Sequence, residues 1–339
     1  MALRGLTGLQ NLGNTCFLNS CMQAISNTEN INGVLSEKIT LAEKNKEECL
    51  FLKEWVDLHE LMWKKNCVIS PARFVKTVQH VARRKDKELF TGFAQNDLPE
   101  YLMFTLDCFH NATARPVTIN ITGTKKDKRD DLAVQCYSFI KNEYEKGFSP
   151  ILENFSSISL STITDEAGET MSVTPEFLLA LDLPIPNKRS ISLNDCFNEY
   201  CVKETLDGDN MWFNEKTNKK QVAYKSYTFW SLPNILVITL KRFNNGVHKI
   251  QNLIDIPLGD IDLTEHVVGY NKHAFKYEIY AICNHHGSVY GGHYTASVKK
   301  GGKWFNYNDT TIKELPESNV ITNEAYCRFL KKTLSNIQT

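Results

Sequence analysis

The sequence predicts an α+β protein built as one unit. Three observations carry that expectation. Helical periodicity dominates the first 145 residues or so, short β-type runs dominate from about residue 150, and no repeat, low-complexity tract or linker separates the two halves. The chain has 339 residues, 42% hydrophobic and 23% charged, enough apolar material for a sizeable core.

Residues 17 to 25 put Phe17, Cys21 and Ile25 on one helical stripe with Leu18 and Met22 beside it, so Cys16 stands at a helix start. EECLFLKEWVDLHELMWKK and QNDLPEYLMFTLDCFHNA carry the same period, the second through Leu98, Leu102, Leu106 and Phe109. Pro99 is costly inside a helix but tolerated in its first turn, which starts that helix near Gln95 to Asp97. Further on, LLALDLPIP and NGVHKIQNLIDIP read as short strands between polar turns. NILVITLKRF, YEIYAICNHH, GHYTASVKK and KWFNYND are the clearest strands, rich in β-branched and aromatic residues. In KKGGKW, Gly301 and Gly302 lie between two such runs, the pattern of a two-residue hairpin turn. If Lys300 pairs with Lys303, Thr295 faces Asn308 and Tyr294 faces Asp309.

Lysine plus arginine equals aspartate plus glutamate at 39 each, and a formal charge of zero argues against nucleic acid or an anionic membrane as the main partner. No run approaches the length of a membrane span, and MALRGLTGLQ lacks the apolar core of a secretory signal. The expected location is therefore the cytoplasm, with the nucleus open. Ten cysteines without a CxxC pair read as reduced intracellular thiols, a residue type that usually packs like a small hydrophobe.

Cys16 has a setting the other nine do not obviously share. A helix N-terminus favours thiolate over thiol. Asn11, Gly13 and Asn14 are residue types that build a tight polar turn, where an amide or backbone N–H can face a developing oxyanion. The same residues also read as a helix cap before a buried cysteine, and GNTC by itself leaves both open. A nucleophilic thiol needs an imidazole to take its proton, oriented by a carboxylate or amide. In the hairpin register above, Asn308 shares a face with Thr295 and so with His293, its diagonal neighbour, whereas Asp309 points to the other face. A bulge or a three-residue turn would reverse that assignment.

Five stretches in this order, GLQNLGNTCFLNSCMQ, AQNDLPEYLMFTL, LPNILVITLKRF, YAICNHHGSVYGGHYTASV and WFNYNDTTI, resemble the ubiquitin-specific proteases, papain-like cysteine proteases that remove ubiquitin. The resemblance runs from about Gly8 to Leu330. It implies a papain-like fold in a single catalytic domain, with a helical thumb over about 1–145, a β fingers region over 146–233 and a β-rich palm over 234–335. It implies Cys16 as nucleophile, His293 as general base and acid, Asn308 as the residue orienting the imidazole, Asn11 as the oxyanion-hole asparagine and Asp309 as a further sensitive site. Gln95 and Asp97 match a helix lining the channel for ubiquitin's C-terminal tail, where Asp97 can hold a tail arginine or simply cap its helix. Gly291 and Gly292 match the flexible loop roofing that channel.

The implied activity is thiol-dependent hydrolysis of the (iso)peptide bond after ubiquitin's terminal glycine, without a cofactor. Ubiquitin or ubiquitinated proteins are the implied partners, and an activating protein partner is compatible with that reading. Two alternatives use the same residues: a weakly active or inactive ubiquitin-binding scaffold, and a protease for a ubiquitin-like modifier. The chain also departs from the family. Many members bind a structural zinc in the fingers through two CxxC pairs, and here those positions fall on Thr164, Ala167, Asn214 and Thr217. None supplies a thiolate, so no metal is expected and the fingers should rest on hydrophobic packing and sheet pairing. His248, His273, His285 and His286 lack ligand spacing. Asn96, Leu98 and Pro99 depart from the usual sequence at the tail-channel helix. No accessory domain is recognisable, which leaves substrate choice to the catalytic surface or a partner.

Overall fold

The computed structural model describes residues 3–28, 31–38, 46–244, 248–271, 274–288 and 291–333. A short strand β1 (Gly8–Leu9) leads into helix α1 (Cys16–Ser26), followed by α2 (Ile31–Lys38) and α3 (Glu47–Lys64). Every residue of α1 is buried, so the predicted stripe is only part of its packing surface. The amide nitrogens of two polar residues find partners inside, Gln23 Nε2 donating to Thr7 O at 2.8 Å and Asn19 Nδ2 to the Asp309 carboxylate, while Asn19 Oδ1 and Gln23 Oε1 are buried without one among the described residues. Strand β2 (Val68–Ile69) pairs in parallel with β1, and α4 (Ala72–Arg84) follows. α5 (Leu98–Thr113) starts where predicted, with Asp97 as N-cap and Pro99 in the first turn. Phe51 of α3 anchors this lobe by edge-on contacts with Phe74 of α4 and with Phe104 and Phe109 of α5, ring centroids 5.2, 5.7 and 5.7 Å away. α6 (Lys128–Gly147) and α7 (Pro150–Phe155) carry the helical run to Phe155, because Ser149 caps a further short helix.

The β-rich part then begins with β3 (Ser157–Thr164), β4 (Thr170–Leu178), β5 (Leu181–Leu183) and β6 (Ile191–Ser192). Helix α8 (Leu193–Tyr200) interrupts it, an element absent from the sequence expectation although Ser192 and Asp195 form a reciprocal capping box. Next come β7 (Glu204–Leu206), β8 (Trp212–Asn214), β9 (Lys219–Gln221), β10 (Ala223–Ser231), β11 (Ile235–Leu240), β12 (Phe243–Asn244), β13 (His248–Lys249), β14 (Ile254–Asp255) and β15 (Ile261–Asp262). The long strands β16 (Lys276–Ser288) and β17 (Gly291–Lys300) precede β18 (Lys303–Asn308), β19 (Thr311–Leu315) and β20 (Ala325–Lys332). One sheet runs β4-β3-β10-β7; the larger runs β19-β18-β17-β16-β20-β11-β5, with β15 beside β16.

The larger sheet is buried on both faces. Ala281 and Cys283 of β16, Ala296 and Val298 of β17 and Tyr307 of β18 face α1 and merge with the helical core. Ile279 and Ile282 of β16 and Leu330 of β20 join a second core with Cys196 and Phe197 of α8. The β17–β18 hairpin has the predicted register, from Lys300 opposite Lys303 to Ala296 opposite Tyr307. Its turn residues Gly301 and Gly302 take φ values of 56° and 78°, the left-handed pair that a two-residue turn matching the strand twist requires.

At the fingertips, side-chain hydrogen bonds add to the expected packing and pairing. Asn214 Oδ1 accepts from the N–H of Lys216 at 3.0 Å, its Nδ2 donates to Gln221 Oε1 at 3.1 Å, and Gln221 Nε2 reaches Met171 Sδ at 3.4 Å. This chain of contacts links the β8–β9 turn to β4. His273 lies outside the described residues. Among the described residues no cluster of histidine, cysteine and carboxylate is arranged to hold a metal, and no helix is long and apolar enough to cross a membrane.

Candidate active site

Three segments converge at the N-terminus of α1: the turn before Cys16, the outer half of the β17–β18 hairpin, and the residues leading into α5. The turn is shaped by Asn11, whose Oδ1 accepts from the N–H of Gly13 and of Thr15, both at 3.1 Å. Gly13 and Asn14 have φ values of 97° and 55°, a left-handed bend that glycine and asparagine tolerate best. Thr15 occupies the N-cap position but makes no side-chain cap; its hydroxyl accepts from Leu12 N, while Asn14 Nδ2 donates to Phe93 O. The open helix end therefore faces the cysteine.

Cys16 is only 3% exposed. Burial pushes its thiol above the ordinary value, the backbone N–H groups of Tyr294, Phe17 and Cys16 pull it back, and the Asp309 carboxylate pushes it further up. The net direction is upward: desolvation outweighs the lowering by the N–H groups at the helix N-terminus. The approach of Tyr294 N–H also fixes where the hairpin lies, since Tyr294 directly follows His293.

His293 Nε2 lies 2.8 Å from Asn308 Oδ1. A carbonyl oxygen can only accept, so Nε2 carries a hydrogen, and in the neutral tautomer of that ring the lone pair is on Nδ1. Asp309 faces elsewhere. With φ of 48° it turns out of the strand, its Oδ1 accepts from Asn19 Nδ2 at 2.7 Å, its Oδ2 accepts from Asn11 Nδ2 at 3.0 Å, and its carbonyl accepts from Leu9 N at 2.9 Å. One aspartate thus ties the hairpin end to the cysteine turn and to α1.

A cleft of roughly 370 Å³ is walled by Gln95, Asp97, His285, Gly291, Tyr294 and Tyr326 among others, and Tyr294, whose N–H meets the Cys16 thiol, is where it borders the cysteine turn. Asp97 caps its helix, Oδ1 accepting from Glu100 N at 3.2 Å, while Oδ2 on the cleft wall accepts from Tyr326 OH at 2.8 Å. Burial raises the pKa of its carboxyl. Gln95 binds the main chain of Gly292 with both ends of its amide. Gly291 and Gly292 open strand β17, paired with Ser288 and Gly287, rather than lying in a flexible loop; the intervening residues 289 and 290 fall outside the described residues. A Cβ on Gly292 would stand 2.3 Å from His285 Nε2 and 2.5 Å from His286 O, so only glycine fits there. Of the departures near α5, Leu98 is fully buried and Asn96 Nδ2 donates to Ala94 O.

Sequence reasoning missed Asn19, His285, Tyr294 and Tyr326. His285 and Tyr294 flank the histidine box and could have been flagged as its aromatic neighbours. Tyr326 arrives from β20 with no local signal.

The protein-family description "Ubiquitin carboxyl-terminal hydrolase" matches residues 7–329. The chain is 30% identical over 345 residues to ubiquitin carboxyl-terminal hydrolase 2 of Bos taurus, covering 96% of this chain and 55% of that protein. It is 31% identical over 339 residues to ubiquitin carboxyl-terminal hydrolase Usp2 of Drosophila melanogaster, covering 97% of this chain and 35% of that protein. The chain thus spans about half, or less, of the length of these relatives. The solved SAGA Ubp8/Sgf11/Sus1/Sgf73 DUB module bound to ubiquitin aldehyde has a chain that superposes with a TM-score of 0.74 at 21% identity, over 98% of this chain and 70% of that one. The papain-like α+β architecture with thumb, palm and fingers is that shared fold. With a family match over nearly its whole length, and the Cys16 turn, the His293 hairpin and the start of α5 converging in the fold, the chain belongs to the ubiquitin carboxyl-terminal hydrolase family.

Proposed function

We propose that this protein is a deubiquitinating thiol protease that hydrolyses the (iso)peptide bond after the C-terminal glycine of ubiquitin. The observation that carries the reading is the His293 Nε2 to Asn308 Oδ1 contact, which frees Nδ1 to act as base on the strand whose next N–H meets the Cys16 thiol. In the attack step Nδ1 takes the thiol proton and sulfur adds to the glycine carbonyl carbon. Asn11 Nδ2 commits one hydrogen to Asp309 and offers the second, with Cys16 N–H, to the oxyanion. The imidazolium then protonates the leaving amine, and water activated by the same nitrogen hydrolyses the thioester. Asn308 orients the ring without taking its proton. Asp97 on the cleft wall suits a cationic side chain of the ubiquitin tail.

Ubiquitin carrying a C-terminal fluorogenic amide tests this directly. Cys16→Ala and His293→Ala are expected to lose turnover by at least about a thousandfold while ubiquitin binding persists. Hydrolysis retained by Cys16→Ala would overturn the assignment, and wild-type protein that binds ubiquitin without turning it over would point to the scaffold alternative.

A further inference from the structure

β18 reaches β17 only from Ala296 onward, so the outer edge of β17 before that residue is not covered by a strand among the described residues. Main-chain groups on one edge of a strand recur every second residue. On this edge Tyr294 N–H points at Cys16, and two residues earlier both main-chain groups of Gly292 point at Gln95, in the segment leading into α5. An unpaired strand edge is a template for another extended chain. A substrate whose scissile carbonyl sits on Cys16 would run along it.

That edge is already occupied. Gln95 Oε1 accepts from Gly292 N at 2.9 Å and Gln95 Nε2 donates to Gly292 O at 3.1 Å, the same donor and acceptor pair a neighbouring peptide group would present. Gln95 is not loose: its segment is pinned two residues earlier, where Asn14 Nδ2 donates to Phe93 O at 2.9 Å. The contact is also exposed, so water can help it open. Resting on the deubiquitinase reading, we propose that Gln95 is a placeholder for substrate main chain: its carboxamide saturates Gly292 in the empty enzyme and is exchanged for the peptide groups of the arriving tail. A substrate therefore gains only the difference between two similar sets of hydrogen bonds, which weakens binding and leaves the chemical step untouched.

Gln95→Met keeps the side-chain length and removes both hydrogen bonds. On ubiquitin with a C-terminal fluorogenic amide the variant is expected to lower KM by roughly three- to tenfold with kcat unchanged, the size of one or two neutral hydrogen bonds no longer displaced. A rise in KM would overturn the proposal, because Gln95 would then bind substrate rather than stand in for it. A fall in kcat would also overturn it, because the clamp would then serve to hold His293. Amide exchange at Gly292 in the empty protein needs no turnover: it should be at least about tenfold faster in Gln95→Met than in wild type, and equal rates would refute the placeholder. Wild-type protein that turns over nothing yet shows this difference would overturn the deubiquitinase reading and leave the placeholder standing.

Discussion

His285 shows what it costs to build this cleft from ionisable side chains. Its ring lies among Phe243, Tyr294 and Tyr326, with centroids 5.7, 4.6 and 6.0 Å away, and burial lowers its pKa to about 4. An unfolded histidine titrates near 6.5. Above that pH both states are neutral and the residue costs nothing. As pH falls from about 6.5 toward 4 the unfolded chain binds a proton that the folded chain refuses, so stability is lost, by up to ~3 kcal/mol from this residue. Burial shifts His59, His110 and His266 in the same direction, which steepens the loss. Denaturant midpoints measured from pH 7 to 4.5 should therefore fall, and His285→Asn should flatten part of that slope. A variant slope equal to wild type would show that His285 is not buried neutral. The same desolvation is the largest cause of the upward shift of the Cys16 thiol.

At the scale of elements, the β17–β18 hairpin does the most for the site. Its two-residue turn sets Asn308 on the face of His293, and the alternation of side chains makes that choice all or nothing. Inserting one glycine between Gly301 and Gly302 should rotate Asn308 off the imidazole and bring turnover of a ubiquitin amide down at least about a hundredfold, with the circular dichroism spectrum retained. Turnover close to wild type would mean that the imidazole needs no partner from β18. This hairpin was legible in the sequence because everything that determines it is local: a glycine pair, two β runs and period-two alternation. The start of α5 was legible for the same reason, through Asp97 and Pro99. Helix α8 was not, because its eight residues are too few to establish a period, and only the Ser192 and Asp195 cap marked it.

For the whole molecule, the site exists because one helix is buried between two lobes. α1 packs on the palm sheet and on α5, and the aspartate after the hairpin, Asp309, reaches back across 290 residues to Asn19 and 298 to Asn11. Contacts of that span carry no periodic signature, which is why the partners of Asp309 and the arrival of Tyr326 at Asp97 could not be read from the sequence, whereas the residue types at the cleft could. The fingers illustrate the converse: the missing thiols were plain in the sequence, but the hydrogen-bond chain from Asn214 through Gln221 to Met171 needed the folded turns. The proposed function rests on one sulfur atom, that of Cys16, as the reacting group. Intact mass of the protein after incubation with ubiquitin bearing a C-terminal thiol-reactive group tests that claim most directly. A single adduct, absent from Cys16→Ala and from probes built on other ubiquitin-like modifiers, is the expected result. An adduct that survives in Cys16→Ala, or a protein that binds ubiquitin and forms none, would contradict it.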